Sequence, residues 1–67
     1  MRGIKAIRKS VKLLERHPLA GRLLRGLPAA FREWPVDSGV GTYVVQYRIE
    51  ADYVVVLAIR HSREFAP

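Results

Sequence analysis

Side chains that could bind an anion or move a proton gather in the last third of the chain. Arg48, Arg60 and Arg63 carry guanidinium groups, which stay charged and bind phosphate or carboxylate through paired hydrogen bonds. His61 lies in the segment RHSRE, and an imidazole can act as a general base near neutral pH. These four residues indicate either a site for a phosphate or an acidic partner, or ordinary surface side chains beyond a strand.

A second basic group lies near the N-terminus at helical spacing. At 3.6 residues per turn its members fall within an arc of roughly 100°. They are Lys5, Arg8, Lys9, Lys12 and Arg16. The arc contains no interleaved acidic residue, so no ion pairs four residues apart relieve the repulsion. The arc favours docking on acidic protein side chains or a phosphate backbone, and a solvated helix face is the alternative.

Several other kinds of site are not expected. The chain contains no cysteine, which excludes disulfides and cysteine-based metal sites. The segment Gly39-Val40-Gly41 precedes an expected strand and not a helix, so it is not a phosphate-binding loop. No carboxylate pair, metal-ligand cluster or nucleophile triad stands out. We therefore expect no metal and no cofactor.

Length and composition predict one small, soluble domain over residues 1–67. Hydrophobic residues make up 49% of the chain, which favours a packed core over disorder. The longest apolar run, 53–59, is far shorter than the ~18 residues of a membrane span, so we expect a cytoplasmic protein that does not enter a membrane. The net charge is +6, and residues 1–34 hold nine of the twelve basic residues with two acidic ones. Such a basic half points to an anionic partner.

The positions of apolar residues predict the elements that must hold these side chains. Ile4, Ile7, Val11 and Leu14 recur at spacings of three and four, which predicts a helix over 4–16 that ends before Pro18. The connector 18–30 leaves room for one helical turn around Leu23 and Leu24, which we expect to cover one end of the core.

Beyond the connector the period becomes two, which predicts strands over 31–36, 42–49 and 53–60. Residues 37–41 form a loop, and residues 50–52 form a three-residue hairpin loop. We therefore expect an α+β fold, with one main helix and a short helical turn packed on a three-stranded antiparallel sheet.

The hairpin loop also predicts the register. Alternate residues from Tyr43 to Ile49 would oppose alternate residues from Ile59 back to Tyr53, with Val45 opposite Leu57. These eight side chains would face the helix. The open face would then carry Val54 and Val56, with the three arginines converging beside them. Because strand 53–59 is apolar on both faces, a partner or a second copy is expected to cover the open one.

Three segments together resemble the ParE/RelE toxin superfamily, whose members include plasmid-stabilisation toxins. They are HPLAGR…RGLPAAFREWPV over 17–36, GTYVVQYRI over 41–49, and VVVLAIRHSRE over 54–64. The resemblance implies the toxin of a type II toxin–antitoxin pair, with a cognate antitoxin whose C-terminal segment covers the sheet and helix. ParE-like members bind DNA gyrase without chemistry of their own. RelE-like members cleave mRNA on the ribosome.

The chain also departs from the family pattern. Full-length relatives begin with a strand and a first helix, and Met1 falls where their second helix would begin. We therefore expect an N-terminally short toxin: a natural truncation, a misplaced start codon or a shortened homologue. The sheet-face arginine of RelE-like members falls at Val44, Arg63 could match their C-terminal arginine, and the tyrosine after it has no counterpart.

These departures favour the ParE-like, binding-only interpretation over an enzyme. One alternative is a RelE-like mRNA endonuclease that uses Arg48, Arg60, His61 and Arg63. Another is an inactive truncated toxin that only binds antitoxin. The residues expected to bind a partner combine the helical arc with the open sheet face. They are Lys5, Arg8, Lys9, Lys12, Arg16, Arg48, Val54, Val56, Arg60 and Arg63.

Overall fold

The computed structural model describes residues 2–39 and 41–61. Helix α1 spans Arg2–Arg16 and is followed by a 3-10 turn at Pro18–Ala20. Four strands complete this part of the chain: β1 (Arg22–Leu23), β2 (Phe31–Asp37), β3 (Thr42–Ile49) and β4 (Val54–His61). They form one antiparallel sheet in the order β1-β2-β3-β4. The α+β class is confirmed, and the expected three-stranded sheet has a fourth, two-residue strand.

Helix α1 packs on β2 and β3, and we call that side of the sheet the core face and the opposite side the outer face. Leu14 is fully buried, whereas Ile4 is about half exposed near the first turn, so the predicted apolar stripe is buried mainly in its C-terminal part. Gly3 permits close approach at the N-terminal end. A methyl group at this position would lie 2.9 Å from the Tyr43 hydroxyl oxygen.

The buried apolar side chains form one small cluster between α1 and the central strands. It consists of Leu14, Val36, Val45 and Tyr47. Ile7, Trp34 and Ile49 are partly buried against this cluster. Within residues 2–39 and 41–61, no helix is long and apolar enough to cross a membrane.

The connector between α1 and β2 differs from the prediction. The helical turn lies at Pro18–Ala20 and not around Leu23 and Leu24, because a proline suits the first position of such a turn. Leu23 instead lies in β1 and pairs with Arg32 of β2, and the Leu23 side chain is largely exposed. Leu23 therefore does not cover an end of the core.

Two side chains from the sheet fix this connector. The buried Tyr47 hydroxyl donates a hydrogen bond to the Pro18 carbonyl oxygen (2.5 Å) and accepts one from the Gly21 N–H (3.0 Å). The Arg32 guanidinium donates to the carbonyl oxygens of Leu19 (3.3 Å), Gly21 (3.0 Å) and Ala29 (3.1 Å). Because Arg32 and Tyr47 are register partners, these bonds act side by side.

The β3–β4 hairpin has a longer loop than expected. Residues 50–53 form the loop, and the Glu50 N–H donates a hydrogen bond of 2.8 Å to the Tyr53 carbonyl oxygen. Ile49 therefore pairs with Val54 and not with Tyr53. A shift of one residue moves every following side chain to the other face of the strand.

A β-bulge in the middle of β4 then adds a second residue of offset, which returns the following side chains to their expected faces. Gln46 pairs with Ala58 and Tyr47 pairs with Val56, so Leu57 is the extra residue. Beyond the bulge, Ile59 lies opposite Val45, on the core face as predicted, although its expected partner was Tyr43.

The placement of Val54 and Val56 on the open face is therefore wrong. Both lie on the core face because they oppose Ile49 and Tyr47. Val55, which was expected on the core face, lies opposite Arg48 on the outer face. The four-residue loop produces this exchange, and the bulge at Leu57 ends it.

Candidate partner-binding surfaces

The first candidate surface is the basic stripe, defined by five exposed side chains of α1. They are Lys5, Arg8, Lys9, Lys12 and Arg16. Within the part of the chain that the structure describes, none of the five forms an ion pair. At a rise of 1.5 Å per residue, the stripe extends over about 16 Å. It therefore presents a row of unneutralised cations to solvent.

A surface groove of about 550 Å³ follows the C-terminal half of this helix. Within residues 2–39 and 41–61, its lining residues belong to α1 or directly follow it: Lys9, Lys12, Leu13, Glu15, Arg16 and His17. Leu13 is 39% exposed and supplies the apolar part of the groove. An apolar side chain flanked by carboxylates would match this combination of leucine and cations.

The arginines of the sheet do not converge as expected. Arg48 and Arg60 share the outer face, but Arg60 lies opposite Val44, four positions from Arg48 along β3. At the rise of a strand, this spacing is roughly 13 Å. Arg48 is also engaged locally, because its Nε lies 2.6 Å from Oε1 of Glu50. Arg63 lies outside the described residues.

His61 lies on the other side of the sheet from Arg48 and Arg60. It pairs with Tyr43, and the two rings contact each other edge to face with centroids 4.8 Å apart. Tyr43 is partly buried against the core cluster. Because successive strand residues point to opposite faces, His61 and Arg60 are directed away from each other.

The fourth strand carries the second candidate surface, which we call the β4 patch and define as Val56, Leu57 and Ile59. Their side chains are 39%, 45% and 44% exposed. Val54, from the partner-binding prediction, is instead partly buried against the core cluster. The β4 patch lies beside the strands that α1 covers, so part of the core face remains open there.

Sequence reasoning missed Leu13 and the polar residues that fix the connector. Leu13 could have been found, because a helical projection places it beside the basic stripe and away from the Leu14 side. Arg32 and Tyr47 gave no such signal, since all their backbone partners except the Ala29 carbonyl oxygen are 11 to 29 residues away. The exposed Arg22–Glu33 ion pair (2.6 Å) depends on the short strand β1.

Metal ligation finds no candidate in residues 2–39 and 41–61, where no three histidine or acidic side chains cluster. The surfaces described above consist of cations and apolar side chains. These groups bind macromolecular partners through charge and buried apolar area.

Comparison with known proteins gives one match. A family model described as the ParE toxin of the type II toxin–antitoxin system, parDE, matches residues 2–65. No curated protein matches the chain significantly. No solved structure matches it significantly either.

Proposed function

We propose, since this chain belongs to the ParE toxin family of type II toxin–antitoxin systems, that it is a toxin that acts by binding a cytoplasmic target such as DNA gyrase. A cognate antitoxin neutralises it by covering its exposed surfaces. The toxin carries out no reaction itself and requires no cofactor. ParE toxins pair with a cognate antitoxin in type II systems.

The separation of Arg48, Arg60 and His61 favours a binding function over catalysis. Cleavage of RNA without a metal needs a base, an acid and a charge-stabilising group within hydrogen-bond reach of one phosphate. The backbones of the two arginines stand roughly 13 Å apart on the outer face. The histidine packs against Tyr43 on the core face. This arrangement supports a toxin that binds and does not cleave.

Charge and apolar exposure support an antitoxin segment that is both acidic and apolar. Carboxylates would neutralise the basic stripe, which has no acidic partner among the described residues. An apolar side chain of the same segment would cover Leu13 in the groove. Burial of apolar surface and pairing of charge would then both stabilise the complex.

The RelE-like endonuclease is the second candidate function. The sharing of one open sheet face by Arg48 and Arg60 is the observation in its favour, since an RNA strand could lie across both. The endonuclease would use His61 and Arg63 in addition to these two arginines. The third interpretation, an inactive toxin that binds only antitoxin, shares the docking surfaces of the leading proposal.

A gyrase supercoiling assay with the complete chain tests the leading proposal. After circular dichroism confirms folding, we expect the purified chain to inhibit supercoiling in proportion to its concentration. A folded chain without effect on gyrase would overturn the proposed target and favour the inactive toxin. Cleavage of ribosome-bound mRNA by the wild type, lost in R60A, would instead establish the endonuclease.

Charge reversal tests the mode of neutralisation. We expect the double variant K9E/K12E to bind a co-purified cognate antitoxin at least about tenfold more weakly than the wild type, because two cations of the groove are replaced by anions. The matched control is R25E, which reverses an exposed arginine of the connector away from the groove. Equal losses in the two variants would show a general charge effect and contradict docking at the stripe.

A further inference from the structure

The outer edge of β4 has only part of the usual protection of a terminal strand. Within the described residues, β4 ends the sheet and pairs with β3 alone. It is eight residues long, has no proline or lysine, and carries a single arginine, Arg60. Proteins commonly protect such edges with charged residues, prolines, β-bulges or short strands, and of these β4 has Arg60 and the bulge at Leu57. The opposite edge strand, β1, has two residues, so the exposed pairing edge is concentrated on β4.

The side chains beside this edge also favour an added strand. Val56 and Ile59 oppose Tyr47 and Val45, so they lie on the core face, yet each remains about two-fifths exposed. A strand paired with β4 would extend the sheet and bring new side chains next to them. Backbone hydrogen bonds and burial of the β4 patch would then act together.

The bulge gives β4 a register that is complementary to itself. We propose that a second copy of this chain pairs with β4 antiparallel, about a twofold axis between Leu57 and Ala58. Val56 of one copy then lies opposite Ile59 of the other, and both occupy the core face. Val54 opposes His61 on the same face, and Val55 opposes Arg60 on the outer face. In a strand without a bulge, such an axis between two residues would oppose side chains from different faces.

Charge favours a second copy over an acidic segment at this edge. In the proposed register Arg60 lies opposite Val55, and the two Arg60 residues of the dimer stand roughly 16 Å apart along the strands. The basic stripe lies on α1 and not on β4. An acidic segment would place carboxylates against valine, leucine and isoleucine, whereas the apolar strand of a second copy matches them. This inference is independent of the toxin function.

Sedimentation equilibrium of the complete chain tests the dimer. We expect the average mass to rise from 7.6 kDa toward twice that value, over a concentration range from about 1 µM to about 1 mM, as is usual for a small interface. I59K and V56K should each weaken dimerisation at least about tenfold, since each places a charge at the edge. L27K is the matched control, because it alters an exposed leucine of the connector.

A mass of 7.6 kDa at every concentration would overturn the proposal. Equal weakening by L27K and I59K would overturn it as well, because association would then depend on general hydrophobicity. If the lysine variants do not fold, a cysteine test replaces them, and the natural absence of cysteine makes single thiols specific.

In that test V56C is mixed with I59C under mild oxidation. We expect the mixed disulfide to form several times faster than either homodisulfide, because residues 56 and 59 are opposed in the register. V56C mixed with L27C serves as the control. Homodisulfides that form as fast as the mixed species would contradict this register and with it the proposed dimer.

Discussion

The two sides of the sheet are held by different interactions. On the β2 side, Tyr47 and Arg32 bind five backbone groups of the connector through side-chain hydrogen bonds. On the β4 side, the contacts of the described residues include the ladder to β3, the contact of His61 with Tyr43 and partial burial of apolar side chains. Directional hydrogen bonds, of which the one from the Gly21 N–H to Tyr47 is buried, specify one arrangement, while a half-exposed apolar strand leaves surface for a partner. The comparison therefore separates a structural region from an interaction region.

The largest expected effect comes from a substitution that removes hydrogen bonds on the β2 side. Tyr47→Phe removes one hydroxyl that serves the Pro18 carbonyl and the Gly21 N–H, and leaves both without that partner. We expect the free energy of unfolding to fall by about 3 kcal/mol, measured by urea denaturation. Tyr53→Phe is the control, because Tyr53 lies exposed in the hairpin loop and should change stability by less than about 0.5 kcal/mol. Similar losses in both variants would refute this assignment.

A second test compares two residues that face each other across the β3–β4 ladder. Val45 is fully buried, whereas its partner Ile59 is 44% exposed. We expect Val45→Ala to destabilise the fold by about 2.5 kcal/mol and Ile59→Ala by about 1 kcal/mol, although isoleucine loses more atoms. Thermal unfolding at low protein concentration, where a dimer contributes little, measures both. A larger effect at Ile59 would mean that β4 belongs to the stable core.

The smallest effect compares two arginines that were not singled out by sequence. Arg32→Met keeps an unbranched side chain but removes bonds to three carbonyl oxygens, which should cost about 1.5 kcal/mol. Arg22→Met removes only an exposed ion pair with Glu33 and should cost less than about 0.5 kcal/mol. Urea denaturation of the two variants side by side makes the measurement. Equal effects would show that the connector does not depend on Arg32.

The spacing of the hydrophobic residues predicted most of the helix and strand boundaries. The strand over 42–49 was found with its observed bounds, β2 was found to within one residue, and α1 begins two residues earlier than expected. These elements are long enough for a period of two or 3.6 residues to be visible. The two-residue strand β1 was missed because it is too short for any period and exists only by pairing with β2.

The candidate sites were predictable only where a local element determines them. The basic stripe was predicted and its five side chains are exposed, because a helix determines which residues share a face. Its role in binding a partner stays a prediction. The convergence of Arg48 with Arg60 was wrong, because the two residues lie four positions apart along the paired strands.

The sequence by itself determined the α+β class, the basic helix face and the order of the main elements, because each follows from local spacing. The tertiary structure alone decided the loop length, the bulge at Leu57 and the docking of the connector onto Tyr47. One residue of register exchanges the faces of Val54, Val55 and Val56, and three valines in succession carry no alternation that could fix it. Pairing with β3 and packing against the core made that choice.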